Sequence, residues 1–162
     1  MNQTKLNHIK FALYDMAFLD IKRASAGQSK MGAFILASCF IEYMAGFIAG
    51  RETTNKDYKQ FVKDYLPGLY DPEKLYGDLR CKLVHNYSEG GSYIFTDTNP
   101  ALHGQKAGTK MIINLENLID DLEAALRKMF TQLDTDPGKQ KKAEDRYDKI
   151  ELMGIARIVP KP

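Results

Sequence analysis

One stretch of the sequence, residues 30–50, constrains the fold more than any other because it is apolar on nearly every side. Its large apolar residues are Phe34, Ile35, Leu36, Cys39, Phe40, Ile41, Tyr43, Met44, Phe47 and Ile48. A helix that is hydrophobic all round either lies at the centre of a protein or crosses a membrane, for which about 20 residues suffice. A charged residue at the centre of a span costs about 2.5–3.5 kcal/mol, and Glu42 holds that position. We therefore predict a buried central helix and no membrane partner.

A buried Glu42 needs a partner, because an unpaired charge is costly away from water. Arg80 is the first candidate. The alternative is that Glu42 faces the surface at a seam between helices.

Charge and cysteine content narrow the class of protein. With 162 residues, 44% of them apolar and 27% charged, the chain is most simply one globular domain. Its formal charge of +2 does not predict tight non-specific binding to nucleic acid. Cys39 and Cys81 fall within predicted helices and no signal peptide is predicted, so we expect a reducing cytoplasm. The cysteines and the three histidines lack the spacing of zinc ligands, and we predict no metal and no cofactor.

Apolar periodicity predicts further helices around the central one. We expect them over residues 4–26, over 55–66, over a stretch that begins at Asp71, and over 115–133. The start at Asp71 is well marked, because Asp71 can cap the helix and the following proline suits its first position. The prediction is an all-α fold, an up-and-down bundle of about five core helices.

Between the fourth and fifth helices the pattern changes from helical to alternating. Residues 92–96 and 110–114 predict two short strands, which we expect to form a small β-hairpin inserted after the fourth helix. The connection 97–109, which contains His103, is long for a compact domain. It is either functional or a plain flexible loop.

These elements predict the organisation of the chain. Residues 1–135 form one helical domain, with the hairpin insertion at 92–114 inside it. Residues 136–162 form a charged C-terminal helix, with a solvated face, and an extended tail.

The clearest chemical signal stands at the end of the fourth predicted helix. The run is Leu79-Arg80-Cys81-Lys82-Leu83-Val84-His85-Asn86-Tyr87-Ser88. Arginine grips phosphate oxygens with its guanidinium, and histidine moves a proton near neutral pH. The spacing Arg-x4-His is common by chance, so its place late in a core helix gives it weight. The candidate catalytic residues are Arg80, His85 and Tyr87, and the candidate substrate-binding residues are Asn86, Lys82 and Glu42.

With this organisation the chain resembles a HEPN (higher eukaryotes and prokaryotes nucleotide-binding) domain. That all-helical fold typically carries Arg-x4–6-His near the end of a late core helix, and residues 80–87 also fit the longer Arg-x4-His-x-Tyr form of HEPN toxins. The resemblance covers about residues 4–133. It implies a metal-independent endoribonuclease, a toxin or phage-defence effector, that leaves 2′,3′-cyclic phosphate ends on RNA. A homodimer with a composite site is implied, as is an antitoxin partner such as a nucleotidyltransferase. In this family setting the hydroxyl of Tyr87 would either orient the phosphate or accept AMP from that partner.

Helix geometry limits how the candidate residues can meet. At about 100° per residue, Arg80 and His85 lie about 140° apart on a regular α-helix. We therefore expect either a helix that frays before His85 or a homodimer in which each protomer supplies half of the site. Tyr87 shares a face with Arg80, and either contacts the substrate or packs in the core.

A structural role competes with this hypothesis. Arg80 could pair with Asp78, Glu73 or Glu42, and His85 with Asn86 could cap the end of a helix. The function would then be that of a non-catalytic, HEPN-like dimeric module that binds a nucleotide or a protein partner. Its sign would be an Arg80 locked in a buried salt bridge and a His85 remote from any open groove.

Overall fold

The central apolar segment forms α3 (Lys30–Ala49), and the other helices pack around it. The computed structural model describes residues 3–88 and 90–150. Ten residues of α3 are buried: Ala33, Phe34, Ala37, Ser38, Phe40, Ile41, Met44, Ala45, Gly46 and Phe47. Within the described ranges, α3 is the one helix long and apolar enough to cross a membrane, and 56% of that stretch is buried inside the fold. This burial is typical of the core helix of a soluble protein, as predicted.

A continuous helical stretch precedes α3 and changes pitch in its middle. It comprises α1 (Gln3–Phe11), a first π-helical segment (Ala12–Phe18) and α2 (Leu19–Ala26). A π-helix forms hydrogen bonds across five residues instead of four, which widens the turn. The stretch agrees with the helix predicted for residues 4–26, and its side chains Ile9, Leu13 and Ile21 are fully buried.

Two shorter helical stretches follow α3. The first, α4 (Asn55–Tyr65), begins with a capping box in which Thr54 and Asp57 each bind the backbone N–H of the other. The second, here called the motif helix (72–86), consists of α5 (Pro72–Leu75), a second π-helical segment (Tyr76–Leu83) and the short α6 (Val84–Asn86). Asp71 caps it as predicted and accepts hydrogen bonds from the backbone N–H groups of Glu73 and Lys74.

A three-stranded sheet follows the motif helix. Its strands are β1 (Tyr93–Thr96), β2 (Lys106–Ala107) and β3 (Lys110–Asn114), in the spatial order β1-β3-β2. The predicted hairpin of residues 92–96 with 110–114 is wrong, because β1 and β3 are parallel. The connection between them is long enough to return the chain to the same end of the sheet, as a parallel pair requires. The hairpin is formed by β2 and β3, which turn at Gly108 with a φ of 63°.

The last two helices close the bundle. In α7 (Leu115–Thr135) the first turn is capped by Asn114, and Asp136 then caps α8 (Pro137–Tyr147). Although α8 is highly charged, it packs on α3: Ala143 is fully buried, and a Cβ on Gly50 would lie 3.0 Å from the carbonyl oxygen of Lys142. This helix therefore belongs to the bundle. The predicted tail 154–162 lies outside the described residues.

The fold class is confirmed at this level. The chain is a mostly helical bundle with a small β insertion after the fourth predicted helix. The core is continuous and draws buried side chains from every α-helix except α6 and from the inner faces of β1 and β3.

Candidate active site

The motif helix brings Arg80 and His85 together within one chain. Nη1 of Arg80 lies 3.0 Å from Nε2 of His85. The predicted separation of about 140° is wrong because it assumes a regular α-helix. Residues 76–83 are π-helical, and the wider turn places residues five apart on one side of the helix. Neither a frayed helix nor a second protomer is required for these two side chains to meet.

Glu42 of α3 forms an ion pair with Nε of the Arg80 guanidinium. Its Oε2 lies 2.6 Å from Nε of Arg80, and the side chains of Arg80 and Glu42 are 21% and 33% exposed. The predicted pairing of Glu42 with Arg80 is confirmed, and the ion pair is partly rather than fully buried. The two other acids considered for Arg80 have different partners: Asp78 binds the backbone N–H groups of Ser92 and Tyr93, and Glu73 pairs with Lys59.

Electrostatics keep Arg80 charged. Burial disfavours the charged guanidinium, but the hydrogen bond and ion pair with Glu42 outweigh that effect and raise the pKa of Arg80. Cys39 lies one turn before Glu42 on α3, and burial raises the pKa of its thiol despite the opposing effect of Arg80. The thiol of Cys39 is therefore protonated at neutral pH.

The contact also fixes a proton on the imidazole. Arginine is only a donor, so Nη1 of Arg80 donates to Nε2 of His85, and the proton of the neutral ring is on Nδ1. His85 is exposed. Among the described residues, Nη2 of Arg80 has no hydrogen-bond partner. A phosphate approaching from solvent can therefore reach a free guanidinium N–H and an exposed imidazole at the same place.

The remaining candidates of the motif lie at its exposed end. Tyr87 is 66% exposed, so the alternative that it packs in the core is wrong. Asn86 is exposed, and the exposed Lys82 has its Nζ 3.8 Å from Oδ1 of the buried Asp78. No hydrogen bond joins any of the three to Arg80 or His85 in the part of the chain that the structure describes. Their roles in binding or catalysis stay predictions.

A second polar cluster, which was not predicted from the sequence, joins His103 of the 97–109 connection to the helical bundle. The hydroxyl of Tyr70 donates to Oδ2 of Asp121 at 2.7 Å and lies 3.3 Å from Nε2 of His103. Nδ1 of His103 accepts the backbone N–H of Asn114 at 3.1 Å. The His103 side chain is only 11% exposed, so it anchors the connection to the bundle. The pairing of Tyr70 with Asp121, 51 residues apart, has no local sequence signal.

An apolar groove of about 310 Å³ lies on the other side of Cys39. Its walls come from the first π-helical segment, α2 and α3, together with Ile150: Ala12, Met16, Ala17, Asp20, Leu36, Cys39, Phe40, Tyr43 and Ile150. Asp20 is its one charged lining residue among those described. The groove suits an apolar group rather than a phosphate.

Comparison with known proteins adds no relative. No protein-family model, no curated protein and no solved structure matches the chain. Within residues 3–88 and 90–150, no group of three His, Cys, Asp or Glu side chains is arranged to hold a metal ion. The geometry around Arg80 and His85 is therefore the main ground for a functional hypothesis.

Proposed function

We propose that the chain is a HEPN-like, metal-independent endoribonuclease in which His85 moves the proton and Arg80 stabilises the charge on the phosphate. The observation that carries this proposal is the 3.0 Å contact between Nη1 of Arg80 and Nε2 of the exposed His85. Cleavage by transesterification needs a proton acceptor and a cation at the same phosphate. Both are present side by side at the surface of one protomer.

The proposed reaction uses the ribose itself as nucleophile. The 2′-oxygen attacks the adjacent phosphorus while the bond from phosphorus to the 5′-oxygen breaks, which leaves a 2′,3′-cyclic phosphate and a 5′-hydroxyl. His85 takes the proton of the 2′-hydroxyl, and a water molecule protonates the leaving 5′-oxygen. The proton that His85 then gives up restores that water, so both return to their starting state. DNA is refused because it lacks the attacking hydroxyl.

The resting contacts suggest how the site is loaded. Nε2 of His85 is occupied by Nη1 of Arg80 before substrate binds. When the guanidinium turns its terminal nitrogens to the phosphate, Nε2 is released and becomes the proton acceptor. Glu42 keeps hold of Nε through this movement, so Glu42 acts as a positioning residue for Arg80.

The resemblance to HEPN domains supports the wider setting of the proposal. It favours a cytoplasmic toxin or phage-defence effector that acts on RNA as a homodimer, held in check by an antitoxin such as a nucleotidyltransferase. In this arrangement the homodimer adds a second Arg80 and His85 pair across the groove. The contact between Arg80 and His85 within each protomer does not depend on the second protomer.

The test is cleavage of a fluorescently labelled single-stranded RNA in EDTA. The wild type is expected to produce 2′,3′-cyclic phosphate ends, and His85→Ala and Arg80→Ala are each expected to lower the rate by at least about 100-fold. His8→Ala and Arg127→Ala are matched controls, because both residues are exposed and lie on other helices. An RNA with 2′-deoxy sugars at the cleaved positions should resist. Cleavage that survives both motif substitutions, or a wild type without cleavage, overturns the proposal.

A second candidate function has one observation in its favour. Because Arg80 is already ion-paired with Glu42, it could serve the structure of a non-catalytic dimeric module that binds a nucleotide or a protein. That candidate predicts that Arg80→Ala loses about as much stability as the protein loses when one partner of another partly buried ion pair is removed. It also predicts that the wild type does not cleave RNA. Calorimetric titration with nucleotides, together with the cleavage assay, separates the two.

A further inference from the structure

Tyr87 closes the motif helix in a conformation that suits glycine. Its φ and ψ are 51° and 35°, in the left-handed region. Its N–H binds the carbonyl oxygen of Leu83 at 3.0 Å, and the next N–H, from Ser88, reaches the carbonyl oxygen of Lys82 at 3.4 Å. Helices commonly end this way, usually with Gly or Asn at the left-handed position. A tyrosine there is strained, because its Cβ crowds the neighbouring carbonyl.

Packing does not compensate for this strain. The Tyr87 side chain is 66% exposed, whereas Tyr58, Tyr70 and Tyr93 are almost fully buried. No hydrogen bond to the Tyr87 hydroxyl occurs among the described residues, and its ring stacks on no other ring there. Conformation, burial and hydrogen bonding all leave the choice of tyrosine unexplained. Backbone strain that no packing or hydrogen bond offsets is concentrated at functional sites.

The position of the ring indicates its ligand. Tyr87 follows the exposed His85 by two residues, on the solvent side of the motif helix. Proteins hold single-stranded nucleic acid by combining cations that bind the phosphates with aromatic rings on which bases stack, since every base offers a face for stacking. A base in a duplex is covered by its neighbours and cannot use such a ring.

We propose that the Tyr87 ring is a stacking platform for an unpaired base next to the cleaved phosphate, so that the substrate is single-stranded RNA. The inference rests on the proposed function and deepens it. The ring, not the hydroxyl, makes the contact. This separates stacking from the two hydroxyl roles, orientation of the phosphate and acceptance of AMP.

The experiment uses an oligonucleotide that cannot react, so that stacking is measured apart from cleavage. The probe is a 2′-O-methyl RNA strand carrying one 2-aminopurine, whose fluorescence is quenched by stacking. Wild-type protein should quench the probe on binding. Tyr87→Ala should lose the quenching and weaken binding at least fivefold, and Tyr87→Phe should restore both. Phe11→Ala is the control, because Phe11 is also exposed but lies on α1.

A second variant guards against a purely structural effect. Tyr87→Gly should unfold at the same temperature as wild type or higher, because glycine fits the left-handed conformation, while its binding falls as in Tyr87→Ala. Pairing the probe with a complementary strand should abolish binding of the protein, measured by the fluorescence anisotropy of a terminal dye because stacking within the duplex itself quenches 2-aminopurine. The inference is overturned if wild type does not bind or quench the probe, if Tyr87→Phe binds as weakly as Tyr87→Ala, or if Tyr87→Gly loses stability and keeps binding. Quenching without cleavage of ordinary RNA would overturn the proposed ribonuclease activity alone.

Discussion

Gly90 lies directly against the carboxylate of Asp78. A Cβ on Gly90 would lie 1.7 Å from Cγ of Asp78 and 1.8 Å from its Oδ1. The same carboxylate accepts the backbone N–H groups of Ser92 at 2.7 Å and Tyr93 at 3.1 Å. Asp78 thus connects the motif helix to the start of β1 by two hydrogen bonds, and only glycine fits beside it at position 90.

Gly90→Ala should therefore lower the free energy of unfolding by about 3 kcal/mol, because the added methyl group must displace a buried, hydrogen-bonded carboxylate. Urea denaturation followed by circular dichroism measures the change. Gly91→Ala is the matched control, since a Cβ there meets nothing within 4 Å. Equal stability of the two variants would contradict the fastening role of Asp78.

Glu42→Gln should lower kcat of RNA cleavage by about 10-fold to 100-fold and leave KM nearly the same. The amide keeps the shape of the side chain but loses the charge that holds Nε of Arg80, and small displacements of catalytic groups are costly. Single-turnover and steady-state rates on the labelled RNA separate kcat from KM. Glu123→Gln, whose partner is the exposed Arg127, is the control. An effect confined to KM would argue against positioning.

Asp57 should make stability depend on acid pH. Burial opposes its charge, but the hydrogen bonds from Thr54 and the charge of Arg51 outweigh that effect and lower the pKa of Asp57 below its ordinary 3.8. A carboxyl with a lowered folded pKa stabilises the fold fully above its unfolded pKa and loses that contribution as pH falls through the folded value. Below about pH 4, the unfolding free energy of wild type should fall more steeply than that of Asp57→Asn. Parallel curves for the two proteins would refute this assignment.

Tyr70→Phe should cost about 1–2 kcal/mol of stability, because it removes the hydroxyl shared by Asp121 and His103. Burial and the neighbouring Asp121 both raise the pKa of Tyr70, so the hydroxyl stays protonated and can donate at any pH at which the protein is folded. Thermal unfolding gives the comparison. Tyr43→Phe serves as control, since no hydrogen bond to the Tyr43 hydroxyl occurs among the described residues. If Tyr70→Phe were as stable as the wild type, the hydrogen bonds of the Tyr70 hydroxyl would not stabilise the fold, because water would replace them.

Gly77→Ala should stabilise the protein by about 0.5–1 kcal/mol, because glycine is a poor helix former and an added Cβ meets nothing within 4 Å. Gly46→Ala should do the opposite, since its Cβ would lie 2.8 Å from Oγ1 of Thr53 and 3.2 Å from Nε of Arg146. Differential scanning calorimetry on both variants checks the pair. A loss of stability in Gly77→Ala would show that the wide turn itself needs glycine.

The centre of the fold and one contact of the site could be predicted from the sequence because each rests on a physical necessity. A helix apolar on every side must be covered, which places α3 at the centre. An acid in the middle of that helix needs a partner if it is buried, which makes Arg80 the first candidate beside the alternative of a surface-facing Glu42; the structure shows the pair. The caps at Asp71 and the break at Asp136 follow from local chemistry that needs no tertiary information.

The geometry of the motif could not be predicted because an apolar repeat of this kind is also compatible with a regular α-helix, in which Arg80 and His85 lie apart. A faint signal was present: Leu75, Leu79 and Leu83 are all fully buried and recur every four residues. On an α-helix each such step overshoots a full turn by about 40°, whereas on a π-helix it falls short of one, so a stretch that mixes the two pitches keeps the three on one side. Ile9, Leu13 and Ile21 show the same four-residue rule around the first π-helical segment.

The direction of the strands and the presence of β2 could not be predicted from the sequence. Alternating side chains at 93–96 and 110–114 identify strands but carry no information on their direction. The short β2 has two exposed residues and no alternation to detect. Its presence inside the connection is what turns an expected hairpin into a parallel pair with a hairpin beside it.

The wide turn of the motif helix decides whether Arg80 and His85 meet. A π-helical turn holds more residues than an α-helical turn, so an ordinary pitch over the same residues would change which side chains share a face. Arg80 and His85 would then point in separate directions. The spacing of the two residues thus encodes an intact pair in one pitch and a dismantled pair in the other.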